Sequence, residues 1–175
     1  MSSGPDRPWH GEPTGSYLVF GAIPGQDPQV VRAAAALADR MRTCLVCVWT
    51  DPGHIIVSRN PDGSVDTVPM DPDGVDDPNR PTGEEVLFAQ LEKALATSPV
   101  PWRFHYTNEA PARALHETAE ELDAVAIAIG TREPGFGHWA AEKIDGSVAV
   151  RLAHHQHRPV ILIPRPDDGH SGERP

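Results

Sequence analysis

Gly130, Gly146 and Ser147 have the types and spacing to hold a charged ligand. The apolar run Ala124 to Ile129 ends at Gly130. A polar stretch containing Thr131, Gly135 and Gly137 then leads to Gly146-Ser147 and a helical pattern that begins with Val148. Glycine lets a ligand approach the main chain closely. Serine is a good helix cap, and a helix start leaves N–H groups free for an anion. Loop N–H groups and the Ser147 hydroxyl would then hold phosphates. The plainer alternative is a strand-to-helix connection that Gly130 turns and Ser147 caps. No G-x-x-x-x-G-K-[ST] run occurs, so the chain is not a P-loop nucleotide hydrolase.

Other reactive residues carry less. Cys44 and Cys47 have C-x-x-C spacing, but they lie in the strand-like run T-C-L-V-C-V-W. Positions i and i+3 of a strand point to opposite faces, and a redox pair usually sits at a helix start. Both are read as buried core residues. His154, His155 and His157 could gather around zinc or nickel. They also suit a helix C-terminus as polar or cationic side chains, or a surface that titrates near neutrality. No metal site is assigned. Asp71, Asp73, Asp76 and Asp77 lie in a Pro-rich loop that does not match a calcium-binding pattern. Ser147 lacks a G-x-S-x-G elbow, and Asp123 and Asp145 flank the loop without forming a recognisable pair. No catalytic residue is assigned.

The elements that position these residues alternate. Strands are predicted at Tyr17–Gly21, Leu45–Trp49, Trp102–Tyr106, Ala124–Ile129 and Val160–Ile163. Leu45–Trp49 and Ala124–Ile129 are short and apolar on both faces, as in a buried parallel sheet. Helices are predicted between them. Val30, Ala34, Leu37, Ala38 and Met41 recur at helical steps. Val86, Leu87, Leu91, Ala94 and Leu95 mark a second helix over Glu84–Thr97. Ala112, Leu115, Ala119 and Leu122 mark a third over Asn108–Leu122, with Asn108 as its cap. Asp27 reads as a turn or cap residue. Within an insertion at 51–83, His54–Arg59 and Ser64–Met70 flank Asn60-Pro61-Asp62-Gly63, the signal of a β-hairpin. Residues 1–16 read as a disordered tail and 165–175 as a flexible one. Strands alternating with helices give an α/β fold.

The formal net charge of −10 argues against binding nucleic acid or an anionic membrane through a basic surface. The polar N-terminus lacks the apolar segment of a signal peptide, and no apolar run is long enough to span a bilayer. A cytoplasmic protein is expected.

The stretch from Asp123 to Pro164 resembles the C-terminal half of a universal stress protein domain, and the likeness extends over residues 17–164. That family ends its fourth strand in glycine, continues as G-x2-G-x9-G-[S/T], and closes with a helix and a Pro-Val-led strand. Gly130, Gly146, Ser147 and Pro159-Val160 fall where this pattern wants them, with a loop three residues longer than the pattern's. The resemblance implies a three-layer sandwich with a five-stranded parallel sheet in the order 3-2-1-4-5, carrying the hairpin as an addition. It also implies a stress-related regulatory or ligand-sensing module that binds ATP, with magnesium accompanying ATP. The implied binding residues are Ala22, Gly130, Thr131, Gly135, Gly137, Gly146, Ser147 and Val148. ATP binders of the family carry an aspartate near the position of Ala22, and here that aspartate is absent. Members commonly pair the fifth strand across a two-fold axis, which implies a homodimer through Val160, Ile161, Leu162 and Ile163. Other readings remain: a homodimeric interaction protein that binds no nucleotide, a small nucleotide-hydrolysing enzyme, and a flavodoxin-like flavin protein. The enzyme would need a general base near the loop, and none is evident. The flavin protein would need a Ser- and Thr-rich loop after the first strand, where this chain has I-P-G-Q-D-P.

Overall fold

The computed structural model describes residues 7–70, 81–131 and 147–165. In chain order the elements are β1 (Tyr17–Gly21), α1 (Pro28–Met41), β2 (Cys44–Thr50), β3 (His54–Arg59), β4 (Val65–Pro69), α2 (Gly83–Leu95), β5 (Trp102–Thr107), α3 (Pro111–Glu121), β6 (Ala126–Gly130), α4 (Ser147–His155) and β7 (Val160–Ile163). The main sheet runs β5-β2-β1-β6-β7 with every pairing parallel. Leaving out the hairpin strands β3 and β4, this is the expected order 3-2-1-4-5.

Alternation along the strands divides the core into two layers. Leu18, Phe20, Leu45, Cys47 and Phe104 pack with Val30 and Ala34 of α1 and with Leu87 and Leu91 of α2. Val19, Val46, Val48, Ile127 and Ile129 pack with Leu115 and Ala119 of α3 and with Val148 and Leu152 of α4. Cys44 and Cys47 are free and fully buried, and burial pushes the Cys47 thiol far up, as suits core residues rather than a redox pair.

Local chemistry sets the helix ends. Asp27 caps α1, its Oδ1 accepting from the Gln29 N–H at 2.8 Å. Thr82 and Glu85 form a reciprocal capping box on α2. The start of α3 differs from expectation. Asn108 is not its cap; Ala110 holds that position without a side-chain hydrogen bond. Pro111 is the reason. Its fixed φ suits a first helical residue, and it drives the residue before it into an extended conformation, seen in the Ala110 ψ of 136°.

The hairpin is present as β3 and β4, antiparallel and separate from the main sheet, with a register shift between Ile56 and Ser58. Its turn uses Gly63 at φ 81°, a left-handed conformation that suits glycine. Val65 and Ile56 pack on the core, whereas Ile55, Val57, Val68 and Met70 are exposed. Arg59 ties the hairpin to the sheet, donating from Nη2 to the Tyr106 carbonyl at 2.8 Å.

The expectation of a disordered tail over residues 1–16 does not hold for 7–16. This segment lies along the outer edge of β5. His10 and Trp102 exchange main-chain hydrogen bonds of 2.8 and 3.1 Å, and their rings stack with centroids 4.1 Å apart. Arg7 donates to Glu84 Oε1 from Nη2 at 2.7 Å and from Nε at 3.1 Å, and its guanidinium sits over Phe88. Thr14 donates its N–H to Cys44 Sγ. The segment looks structureless because it lacks periodicity, yet the side chains of Arg7, His10 and Trp9, whose ring lies 5.8 Å from that of Tyr17, anchor it. Most of the acidic loop, residues 71–80, and the C-terminal stretch 166–175 lie outside the described residues. No helix among the described residues is long and apolar enough to cross a membrane.

Candidate functional site

In an open parallel sheet, ligands bind beyond the C-terminal strand ends where the winding reverses. Here the reversal lies between β1 and β6, which pair from Leu18–Ala126 to Gly21–Ile129. Three segments converge there: the β1–α1 loop from Ala22 to Asp27, Gly130 and Thr131 at the end of β6, and Pro164 and Arg165 after β7.

Hydrogen bonds fix each segment. The Ala22 N–H donates to the Val48 carbonyl at 2.9 Å, and its methyl group is buried. The Gly25 N–H donates to Gln90 Oε1 of α2 at 2.8 Å. The Thr131 N–H donates to the Ile163 carbonyl at 2.8 Å, and the Arg165 N–H donates to Thr131 Oγ1 at 3.1 Å. Arg165 Nε lies 3.5 Å from Asp27 Oδ2. One aspartate thus caps α1 with one oxygen and faces a cation with the other. The Arg165 guanidinium, half-buried at the strand ends, is a suitable group for phosphate.

Gln26 completes the floor. It is 8% exposed, and its Oε1 is buried with no hydrogen-bond partner among the described residues. Gly130 makes room for it. A Cβ added at Gly130 would lie 2.6 Å from Gln26 Nε2 and 3.0 Å from Val30 Cγ1. The glycine that closes β6 therefore serves packing as well as the turn.

The sequence-derived residues fall as follows. Ala22, Gly130 and Thr131 meet at the strand ends. Gly135, Gly137, Gly146 and Asp145 lie outside the described residues. Ser147 is the first residue of α4. Val148 follows it with its side chain buried in the α3/α4 layer, so only its main chain can face a ligand. His154 and His157 are exposed, and among the described residues no three metal-binding side chains gather. Gln26 and Arg165 were not foreseen. Gln26 sits in a turn-rich run, and Arg165 begins a stretch that reads as tail.

These residues fit a ligand with an anionic end and hydrogen-bond donors at the other: Arg165 suits the anion and the Gln26 oxygen lacks a donor. A concavity of about 490 Å³ lies elsewhere, lined by Arg7, Thr82, Glu85 and Asp66 among others. Its carboxylates make it a poor place for phosphate.

Comparisons with known proteins agree with this fold. A universal stress protein from Archaeoglobus fulgidus superposes with a TM-score of 0.55 at 21% identity, covering 85% of this chain and 93% of the other. The universal stress protein from Archaeoglobus fulgidus solved in complex with dAMP gives 0.53 at 20% identity, covering 85% and 97%. A universal stress protein solved in complex with cAMP gives 0.53 at 18%, covering 85% and 96%. These likenesses establish the fold. No curated protein matches the sequence. The model of the universal stress protein family matches residues 24–164, which is most of the chain, and this chain therefore belongs to the universal stress protein family.

Proposed function

We propose that this protein senses an adenine nucleotide bound across the C-terminal ends of β1 and β6, as a cytoplasmic homodimer. The observation that carries the reading is the meeting of Gly130 with the β1–α1 loop where the winding reverses, with Arg165 beside it. Main-chain N–H groups around Gly135, Gly137, Gly146 and Ser147 would share the phosphates with Arg165. The dAMP and cAMP named for two structures of the same fold support an adenine nucleotide. Magnesium would enter only with the phosphates of ATP. Free cysteines suit a reducing compartment.

A second reading, an interaction module without a nucleotide, draws on Ala22. Its methyl group and committed N–H leave the end of β1 without an acidic side chain. A thermal melt with Mg-ATP, AMP and GTP separates the two. A ligand at a hundred times its dissociation constant adds about 2.7 kcal/mol, a shift of roughly 5–10 °C for a domain of this size. A shift with adenine nucleotides and none with GTP is expected. No shift at millimolar ATP or AMP would leave the interaction module as the reading.

The dimer is argued from the two sheet edges. The β5 edge already carries the His10 bridge. The β7 edge has no strand partner among the described residues, and it presents Leu162 at 54% exposed beside half-buried Val160 and Ile161. Only Ile163 is buried. An apolar edge of this kind favours pairing with another chain, and a two-fold axis closes the contact. Light scattering should give twice the chain mass for the parent and a single chain mass for Leu162→Asp. A dimeric Leu162→Asp variant, or a monomeric parent, would refute pairing through β7.

A further inference from the structure

We propose that Gln26 reads the nucleoside part of the ligand, its side-chain oxygen accepting a hydrogen bond from an N–H or O–H of the base or sugar. This rests on the nucleotide reading above and names the residue that gives that site selectivity.

The inference starts from an unmet requirement. Buried polar atoms in folded proteins are nearly always hydrogen-bonded, and an exception needs a reason. Gln26 is 8% exposed and its Oε1 has no partner among the described residues. Its placement is specific. The Gln26 N–H donates to the Ile23 carbonyl at 3.2 Å, Gly25 is held by Gln90, and Asp27 caps α1, so the loop is fixed on both sides of the residue. The carboxamide lies over the bare α-carbon of Gly130, in space that any other residue there would fill. The carboxamide that carries this oxygen is thus buried at the β1–β6 strand ends, the part of such a sheet where ligands bind.

Chemistry narrows what it can meet. A carbonyl oxygen only accepts, so it faces no phosphate; Arg165, across the same strand ends, suits that role. A nucleoside supplies donors of two kinds, the exocyclic amino group of the base and the hydroxyls of the sugar. Ala22 supplies no acceptor from its side chain. The Gln26 oxygen is therefore the acceptor that the β1–α1 loop offers from a side chain already buried at this point.

The test compares the parent with Gln26→Met, which keeps length and apolar bulk and removes the acceptor. AMP, IMP and 2′-deoxy-AMP are titrated calorimetrically into both proteins, and both are melted without ligand. The oxygen has no hydrogen bond to lose, so the variant should melt near the parent temperature. Its AMP affinity should fall roughly tenfold, the scale of one hydrogen bond. In the parent, IMP should be weaker than AMP by a similar factor if the oxygen meets the base amino group, and 2′-deoxy-AMP if it meets the sugar hydroxyl. The analogue that is weaker in the parent should lose nothing further in the variant, because both changes remove the same contact. Equal AMP affinity in the two proteins overturns the role of Gln26 while leaving nucleotide binding intact. So does full additivity of the two losses. A ligand-free variant that melts well below the parent would make Gln26 a structural residue instead. A parent that binds none of the three overturns the nucleotide reading and this inference with it.

Discussion

Arg7→Ala is expected to destabilise the protein by about 3–5 kcal/mol at neutral pH, the cost of breaking a buried ion pair by removing one partner. Arg7 and Glu84 are 13% and 4% exposed, and both guanidinium contacts go to a single carboxylate oxygen. Burial pushes the Glu84 carboxyl above its ordinary range, and Arg7 opposes that rise. Without Arg7 the carboxylate stays buried with no charge to balance it, and its pKa climbs further. The sign of the pH dependence follows. A carboxyl whose folded pKa exceeds its unfolded value, about 4.3, costs nothing below that value and progressively more as pH rises through the folded pKa. The deficit of Arg7→Ala should therefore be largest near pH 7 and shrink toward pH 5. Glu84→Gln in the same background should recover much of it, since the buried charge is gone. Urea unfolding of the three proteins at both pH values checks this. A deficit under 1 kcal/mol would mean that the segment from Arg7 to Ser16 is only loosely attached, and a large deficit equal at both pH values would mean that Arg7 acts through its packing on Phe88 rather than through the Glu84 charge.

That pair also shows where sequence reading stops. Leu45–Trp49 and Ala124–Ile129 were legible because each is a short run apolar on both faces, and Tyr17–Gly21 and Val160–Ile163 fall at their expected bounds. The hairpin was legible because Asn60-Pro61-Asp62-Gly63 is strong turn chemistry. What escaped depends on partners far along the chain. Val86 was expected on the inner side of α2, but Glu84 is buried there instead, because an arginine 77 residues earlier meets it. No local pattern announces that. Arg7, Trp9 and His10 sit among Gly, Pro and Ser, so composition masks three anchors whose partners are Glu84, Tyr17 and Trp102. Gly130 stood out in the sequence as a turn, and it is equally a packing site for Gln26. Gln26 itself gave no signal, since an isolated glutamine in a turn is ordinarily solvated. Its meaning comes only from the side-chain placement.

Phe20→Ala is expected to cost about 3–5 kcal/mol and to lower the melting temperature by roughly 10 °C. Phe20 is fully buried on β1, the middle strand of the sheet. Its neighbours in register are Cys47 on β2 and Ala128 on β6, both small. One large ring among small strand partners fills the layer beneath α1 and α2, and no adjacent strand residue can swell to replace it. The cavity term should therefore be near the top of its range. The position adds a functional consequence. Gly21 and Ala22 follow Phe20 directly, and they carry the strand into the loop that seats Gln26. Slack beneath α1 would reach Val30, which packs in the same layer and touches the space over Gly130. On the proposed nucleotide reading, weaker AMP binding should accompany the stability loss even at temperatures where Phe20→Ala is fully folded. Phe104→Ala, equally buried but on the outer strand β5, should lose comparable stability with AMP affinity unchanged. If the two variants lose AMP binding equally, the coupling runs through global stability rather than through the end of β1.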